Sequence, residues 1–524
     1  MLTATPEQEP RPLGTAVRID VYSHNIAISR FNREVKDALL DYCRGLAQFG
    51  LKRIGPGKFV KSMKCVFVGV THKRDEFHFH RHEMDKVLAY IGQYGYHGNQ
   101  LNIVYHDVPE GERVTLRYIE TRQPRDYQAP QIDYGCAEGH QKVITARPGR
   151  GKTFMAMAIM NYLQTRTVFV IKPMYIKKWI KDLEEAFKFK PGELMVVKGG
   201  DQLRSLIALA VNNELKATVI LISNATFLRY LKDYEQSPFD LKEIGYGCNP
   251  IDFYPTIKAG FRVIDEVHQD YHFNYRQDLY AHVRKALSLS GTLESDDDFI
   301  TGRYEVQFPA VMRGPRMDDT SHVKVSALFY QFENVDKRIR YTNHAMRSYS
   351  HLKFEQSIMK RKELLKSYVA MICDITQRSF VNIRQDGQKM VIYCYTVELC
   401  TIVSDMLKKL HPTIDVMRYT SEDPYDEMLE STLIVSTLKS LGTAHDIPGL
   451  RTILMTDAVS SRQTNLQAVE RLRPLDSKWP GTNPDFLYLV CRDIERHVDY
   501  HKHKKDVFAG RVISHGEFNT VYKM

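Results

Sequence analysis

Residues 146–153 read Ala-Arg-Pro-Gly-Arg-Gly-Lys-Thr, a glycine-spaced turn that ends in a lysine and a threonine. The turn follows a strand-like run, "QKVIT", and opens a helix-period segment, "KTFMAMAIMNYL". In that setting Gly149 and Gly151 let the backbone approach a phosphate, whose charge the helix N-terminus favours. Lys152 would then reach the β- and γ-phosphates of a nucleotide, and the Thr153 hydroxyl would ligate Mg2+. The alternative is a glycine-punctuated turn whose lysine is merely solvated. A second constellation, Asp265-Glu266-Val267-His268, ends the apolar run "FRVI". A carboxylate at the C-terminal end of a strand can hold Mg2+ through water, and its neighbour can orient and deprotonate an attacking water. Two acids are needed because the metal engages one. Acidic pairs also occur on solvated turns. Paired with the phosphate loop, this one favours nucleotide hydrolysis over phosphoryl transfer to a metabolite.

Other clusters have plainer readings. His78, His80 and His82 alternate, which places them on one face of a strand. With Asp75, Glu76 and Glu83 they could form a mixed metal set, but a half-exposed polar strand face is the expectation. His497 and His501 lie one helical turn apart without a glutamate in the zinc-protease position, so a solvated terminal helix is expected. Basic residues in "GLKRIGPGKFVKSMK", together with Phe79, Tyr90, Tyr94 and Tyr96, could grip phosphates and unpaired bases. The same tyrosines could equally be the core or rim of a small domain.

The elements that must hold these residues follow from periodicity. The 524-residue chain, 43% hydrophobic and 26% charged, has material for about three domains. Residues 1–120 alternate helical and strand-like segments and read as a small α+β module, closed by the turn-rich "TRQPRDYQAPQ". Residues 121–325 place the short apolar runs "QKVITA", "TVFVIK", "ATVILIS", "FRVID" and "KALSLS" between helical patterns, which predicts a parallel sheet covered on both faces. Within them, "SPFDLKEIGYGCNPIDFYPTIKAG" is expected to be a surface excursion. Residues 326–385 read as a helical connector, and 386–524 as a second alternating domain with strands "KMVIYCY", "DVMRYT", "STLIVST", "RTILMT" and "DFLYLV". The fold class is therefore α/β: two tandem doubly wound parallel-sheet domains behind a small α+β domain, with ligands expected in their shared cleft. Eight scattered cysteines argue against a disulfide framework or zinc ribbon, and no secretory signal or membrane-length apolar run is visible, so a cytoplasmic protein is expected. The net charge of +10 suits a polyanionic partner and equally suits mere solubility.

With both constellations in place, the chain resembles the superfamily 2 helicases, built on two RecA-like domains, over residues 128–510. Their phosphate loop is written Ala-x-x-Gly-x-Gly-Lys-Thr, matching Ala146, Arg147, Pro148, Gly149, Arg150, Gly151, Lys152 and Thr153, and their acidic motif Asp-Glu-x-His matches Asp265 to His268. The resemblance implies ATP and Mg2+ as cofactors and nucleic acid as partner. It makes Gln128 of "RDYQ" the adenine-reading residue, and Lys172, Pro173, Asn224, Thr226 and Thr437 contacts to nucleic acid. His268, Ser290, Gly291, Thr292, Gly442 and Asp446 would couple hydrolysis to domain movement. Gln467 and Arg471 of "NLQAVERLRP" match the ATP-facing helix, with Arg471 as arginine finger.

The departures fall late in the chain. Gly442 and Asp446 stand four apart rather than two, Glu470 replaces a glycine, and Pro474 stands where a second arginine is usual, with Arg473 one residue early. Within the superfamily, the glutamine-type final motif, "SGTLES" and the tail "CRDIERHVDYHKHKKDVFAGR" look most like the phage UvsW-type helicases. That subgroup implies action on branched, forked or single-stranded DNA in recombination, replication or repair, alongside proteins of those processes. The alternative is an ATP-gated nucleic-acid clamp or annealing factor without processive unwinding.

Overall fold

The computed structural model describes residues 16–55, 58–73, 75–147, 149–239, 241–317, 321–333, 339–343, 348–420, 423–441, 447–475 and 478–524. The chain forms two compact units, Met1–Leu293 with Asp297–Met317, and Glu294–Asp296 with Asp318–Met524.

The first unit begins with strands β1 (Val17–Val21), β2 (Asn25–Ser29), β3 (Ala47–Gly55), β4 (Lys58–Val66), β5 (Gly69–Val70), β6 (Glu76–His80) and β7 (Leu101–Tyr105). Five of them make a sheet of order β5-β6-β2-β1-β7, while β3 and β4 form a separate antiparallel hairpin. Helix Arg33–Gly45 starts where the Asn32 side chain accepts the Val35 N–H (3.0 Å), satisfying an otherwise orphan donor. Its Val35 and Leu39 pack with Val87 and Ile91 of helix Met84–Gly92 against the apolar residues of β1 and β2.

The same unit continues with β8 (Gln141–Thr145), β9 (Thr167–Ile171), β10 (Leu194–Val197), β11 (Val219–Ser223), β12 (Phe261–Ile264) and β13 (Lys285–Ser290). Their order is β10-β11-β9-β12-β13-β8, parallel throughout. Strands buried on both faces read as near-continuous apolar runs, as in "VFVI" and "VILI". Because β13 lies between β8 and β12, the phosphate-loop strand and the acidic strand flank the strand that ends at Ser290.

The second unit holds β14 (Lys324–Gln331), a small hairpin of β15 (Thr342–Asn343) and β16 (Ser348–Tyr349), then β17 (Lys389–Tyr393), β18 (Val416–Tyr419), β19 (Leu433–Ser436), β20 (Leu450–Met455), β21 (Asp485–Cys491) and β22 (Ser514–Lys523). The parallel sheet runs β18-β19-β17-β20-β21-β14-β22. Met390 and Ile392 of β17 face one apolar cluster, and Val391 and Tyr393 face another, so both sheet faces are covered. Each unit thus carries a doubly wound parallel sheet, the α/β class expected from the sequence.

Several local expectations change. Residues 326–385 contain most of β14 and two helices, His351–Met359 and Lys362–Thr376, whose Phe354, Ile358, Tyr368 and Ile372 enter the second unit's core. "RVTLRYIET" forms isolated bridges at Arg113 and Tyr118 instead of a strand. The supposed surface excursion buries Leu241, Tyr246, Phe253, Tyr254 and Ile257 in the first unit's core. The terminal helix Glu495–Phe508 is not solvated on its histidine face: His497 meets the Tyr349 hydroxyl (2.6 Å), His501 meets that of Tyr488 (2.8 Å), and Lys504 donates to the Val459 carbonyl (2.9 Å).

His78 and His80 on β6 are buried, not half-exposed, whereas His82 falls in the turn Arg81–Glu83 beyond the strand and is half-buried. His78 lies against the Tyr280 ring (4.6 Å between centroids), and His80 Nε2 is 3.6 Å from Asp278. Asp278 also pairs with Arg262 and accepts from Gln141 (3.1 Å) and Gln307 (2.5 Å). Burial would raise the Asp278 carboxyl, but the Arg262 guanidinium and the polar contact from His80 hold it far below the usual carboxylate range. Asn25 donates to the Ala281 carbonyl (2.9 Å) and Arg303 to Glu83 (2.6 Å), so polar bonds cross the seam between the two sheets of the first unit along its length.

His24, His82, His272 and His282 in this unit are all held below the ordinary histidine value of 6.5, chiefly by burial. In the fold they take up protons only at a lower pH than in the unfolded chain, which does so as pH falls through about 6.5. Their contribution to stability is therefore complete above that pH and is lost progressively below it. Differential scanning calorimetry from pH 8 to pH 5 should show a falling unfolding midpoint; a flat midpoint would contradict the burial assignment.

Candidate functional site

The C-terminal ends of β8, β12 and β13 bring the phosphate loop and the acidic motif together. Gly149 and Gly151 both have left-handed backbones (φ 80° and 81°), and Gly151 caps helix Lys152–Leu163. A side chain at Gly151 would collide with Gln128 Nε2, which instead donates to the Arg150 carbonyl (2.9 Å). Gln128 Oε1 accepts the Arg125 N–H (3.0 Å), and the Arg150 guanidinium stacks 5.1 Å over Tyr127. Gly151→Ala is accordingly expected to cost about 1–2 kcal/mol in backbone strain and to displace Gln128. Isothermal titration should then show nucleotide affinity reduced at least about tenfold; unchanged affinity would disconnect this glycine from the loop's function.

Lys152 is buried. Its ammonium donates to the Ala146 carbonyl (3.0 Å) and pairs with Glu266 (3.2 Å). Asp265 is fixed from both sides: Oδ1 accepts the Glu266 N–H (2.9 Å) and Oδ2 accepts the Trp179 indole N–H (3.0 Å). Burial and the adjacent Glu266 push the Asp265 carboxyl up to about 6. Glu266 goes the other way, because the Lys152 ammonium outweighs its burial and holds it below its ordinary value. Its backbone has positive φ (47°), which turns the carboxylate toward the loop lysine instead of along the strand.

His268 Nδ1 lies 2.8 Å from Ser290 Oγ and 3.4 Å from Glu266. Ser290 directs its own proton at the Thr292 carbonyl (2.5 Å), so the histidine Nδ1–H is the donor to Ser290. Burial lowers His268 to about 4, which keeps the ring neutral at physiological pH. Lys172 reaches Gln269 (3.2 Å) and Asp270 (3.2 Å), and it lines a small pocket with Asn224, Asp265 and Glu266. Pro173 is exposed at the first turn of helix Pro173–Ala186.

The remaining residues sit elsewhere. Thr226 accepts the Gly199 N–H (2.7 Å) ahead of helix Gly200–Val211. In the second unit, Thr437 caps helix Leu438–Leu441 by accepting the Ser440 N–H (3.0 Å). Gln467 lies in helix Arg462–Val469, the Arg473 guanidinium donates to the Glu470 carbonyl (3.0 Å), and Arg471 Nη1 is buried with no hydrogen-bond partner among the described residues. Pro148, Gly442 and Asp446 lie outside the described residues.

Trp179, Tyr175 and Gln269 are the site residues that sequence reasoning passed over. Trp179 reads as a core position on an amphipathic helix, and nothing in its spacing signals that its N–H finds a carboxylate. The second unit also gathers His351, Glu355 and Asp457. The Ala458 N–H donates to His351 Nδ1 (3.2 Å), which leaves the ring proton on Nε2 facing the two acids, and Glu355 already accepts from Tyr395 and Thr396. A protonated Nε2 is not a metal ligand, and the cluster reads as a buried hydrogen-bonded group.

Neither a protein-family model nor a curated protein sequence matches the chain. Among solved structures it is similar to S. cerevisiae Dbp5 bound to RNA and ADP BeF3 (11% identity, covering 76% of this chain and 90% of that one, TM-score 0.47). It is also similar to T4 UvsW (11%, covering 96% and 99%, TM-score 0.33) and to a DEAD box protein from Methanococcus jannaschii (10%, covering 75% and 93%, TM-score 0.39). With TM-scores below 0.5, the fold is read from this chain's own strand order and register.

Proposed function

We propose that this chain is an ATP-hydrolysing nucleic-acid helicase or translocase of superfamily 2, acting on branched or forked DNA in recombination, replication or repair. The observation that carries the reading is the 3.2 Å pair between Lys152 and Glu266, made where the phosphate loop and the acidic strand meet. The helix N-terminus and the loop amides bind phosphate, and Lys152 neutralises its charge. Phosphate competes with Glu266 for Lys152. As the lysine turns to the nucleotide, Glu266 loses the partner that depresses its basicity and becomes a better proton acceptor for the attacking water. The proton would pass from that water to the Glu266 carboxylate.

The donors present fit Mg2+: the Thr153 hydroxyl and the Asp265 carboxylate are hard oxygen ligands, and the raised Asp265 is a half-buried acid short of positive charge. When bound, the ion would polarise the phosphate oxygens. Gln128 would read adenine through the amide that the Arg125 and Arg150 backbone groups orient, and Arg471 would supply the finger. Hydrolysis of ATP measured with single-stranded DNA, duplex DNA, forked DNA and RNA tests the assignment. Stimulation should be greatest on forks; no stimulation by any nucleic acid would end the motor reading. The tie of Arg473 to the Glu470 carbonyl beside Pro474 favours one alternative, an ATP-gated clamp or annealing factor. It would anneal strands without displacing them from a fork.

A further inference from the structure

Hairpin β3–β4 differs from the rest of the first unit. Among the described residues its strands pair only with each other. Residues 47–66 carry five cationic side chains (Lys52, Arg53, Lys58, Lys61, Lys64) and no acid. Phe49, Ile54, Val60 and Met63 are exposed by 46%, 65%, 43% and 59%. Phe49 and Met63 are register partners, and the Lys61 ammonium lies 4.9 Å above the Phe49 ring. A lone two-stranded hairpin is marginal in water, and four large apolar side chains interleaved with cations are not a core-forming pattern.

The base of the hairpin, by contrast, is built into the unit. The Phe67 N–H donates to the Leu46 carbonyl (2.9 Å), and the Val66 carbonyl meets His272 Nε2 (2.7 Å). Phe67 is buried with its ring 5.3 Å from His272 and 5.0 Å from Tyr275, both on helix Tyr271–Asp278. That helix is tied to the acidic loop, since Asn274 donates to the carbonyls of Val267 (2.8 Å) and Gln269 (2.7 Å).

We propose that the β3–β4 hairpin is a contact surface for single-stranded nucleic acid, coupled to the Asp265–His268 loop through helix Tyr271–Asp278. The inference rests on the nucleic-acid reading above. An acid-free run of lysines selects a polyanion by counterion release. The aromatic and thioether side chains between them select unstacked bases, whose faces a duplex hides.

The test uses the full chain and a fluorescein-labelled 20-nucleotide single strand, with a 20-base-pair duplex as comparison. Phe49→Ser with Met63→Ser should weaken single-strand binding about tenfold and leave duplex binding unchanged. Lys52→Gln, Lys61→Gln and Lys64→Gln together should weaken both and flatten the salt dependence. In the wild type, 4-thiothymidine cross-links should map to residues 47–66, a result that needs no variant to fold. Cross-links confined elsewhere, or variants that bind like wild type, overturn the proposal. A change only in oligomeric state by light scattering also overturns it and marks the hairpin as a protein interface. Wild-type protein that neither binds nor responds to nucleic acid removes the motor reading as well. Wild-type stimulation with indistinguishable variants removes this inference alone.

Discussion

On the function proposed above, Glu266→Gln is expected to lower ATP hydrolysis by about 10²–10⁴-fold, the usual loss when a positioned general base is removed. Glutamine preserves the volume and one acceptor oxygen but cannot take a proton. The loop glycines, Lys152 and the helix N-terminus remain, so nucleotide affinity should be retained or tightened. Tightening follows from the 3.2 Å pair: a neutral amide no longer competes with phosphate for the lysine ammonium. Single-turnover hydrolysis and nucleotide titration on the same preparation separate these effects. Retained hydrolysis would move the base role to another residue and leave Glu266 as the resting partner of Lys152.

Asp278→Ala should have the largest effect on stability. The carboxylate is 1% exposed and gathers Arg262, His80, Gln141 and Gln307 from four separate segments. Removing one partner of a buried pair strands the other charge, at a cost of about 3–5 kcal/mol. The front sheet and the first parallel sheet share this anchor, so chemical denaturation should show a lower midpoint with both losing protection together. A loss below about 1 kcal/mol would place the seam's strength in its apolar contacts instead. Replacing Asp278 and Arg262 together by apolar residues should cost less than removing Asp278 alone, because no buried charge is then left without its partner.

Much of the site was legible because its chemistry is local. The glycine spacing, the lysine and threonine that follow it, and the acid pair at the end of an apolar strand are short-range patterns. Burial of a parallel strand on both faces likewise writes itself as a continuous apolar run, so β8, β9, β11, β12 and β13 and their counterparts β17 to β21 could be placed. Strand β22, "SHGEFNTVYK", could not: as an edge strand it needs no continuous apolar run, and its partner β14 lies about 190 residues away in sequence.

The histidines show most directly what sequence alone leaves open. Alternation placed His78, His80 and His82 on one strand face; His78 and His80 do share a face of β6 while His82 falls in the turn beyond it, and whether that face meets water or protein depends on Asp278 and Tyr280, some 200 residues downstream. The same holds for Trp179 with Asp265, and for the hairpin whose base packs on the helix after the acidic loop. The sequence by itself determined the residue types, their order and the strand and helix periods, because these are set by neighbours along the chain. Only the tertiary structure decided which polar groups are buried and what pairs them, because desolvation and ion pairing depend on groups that folding brings together from distant segments.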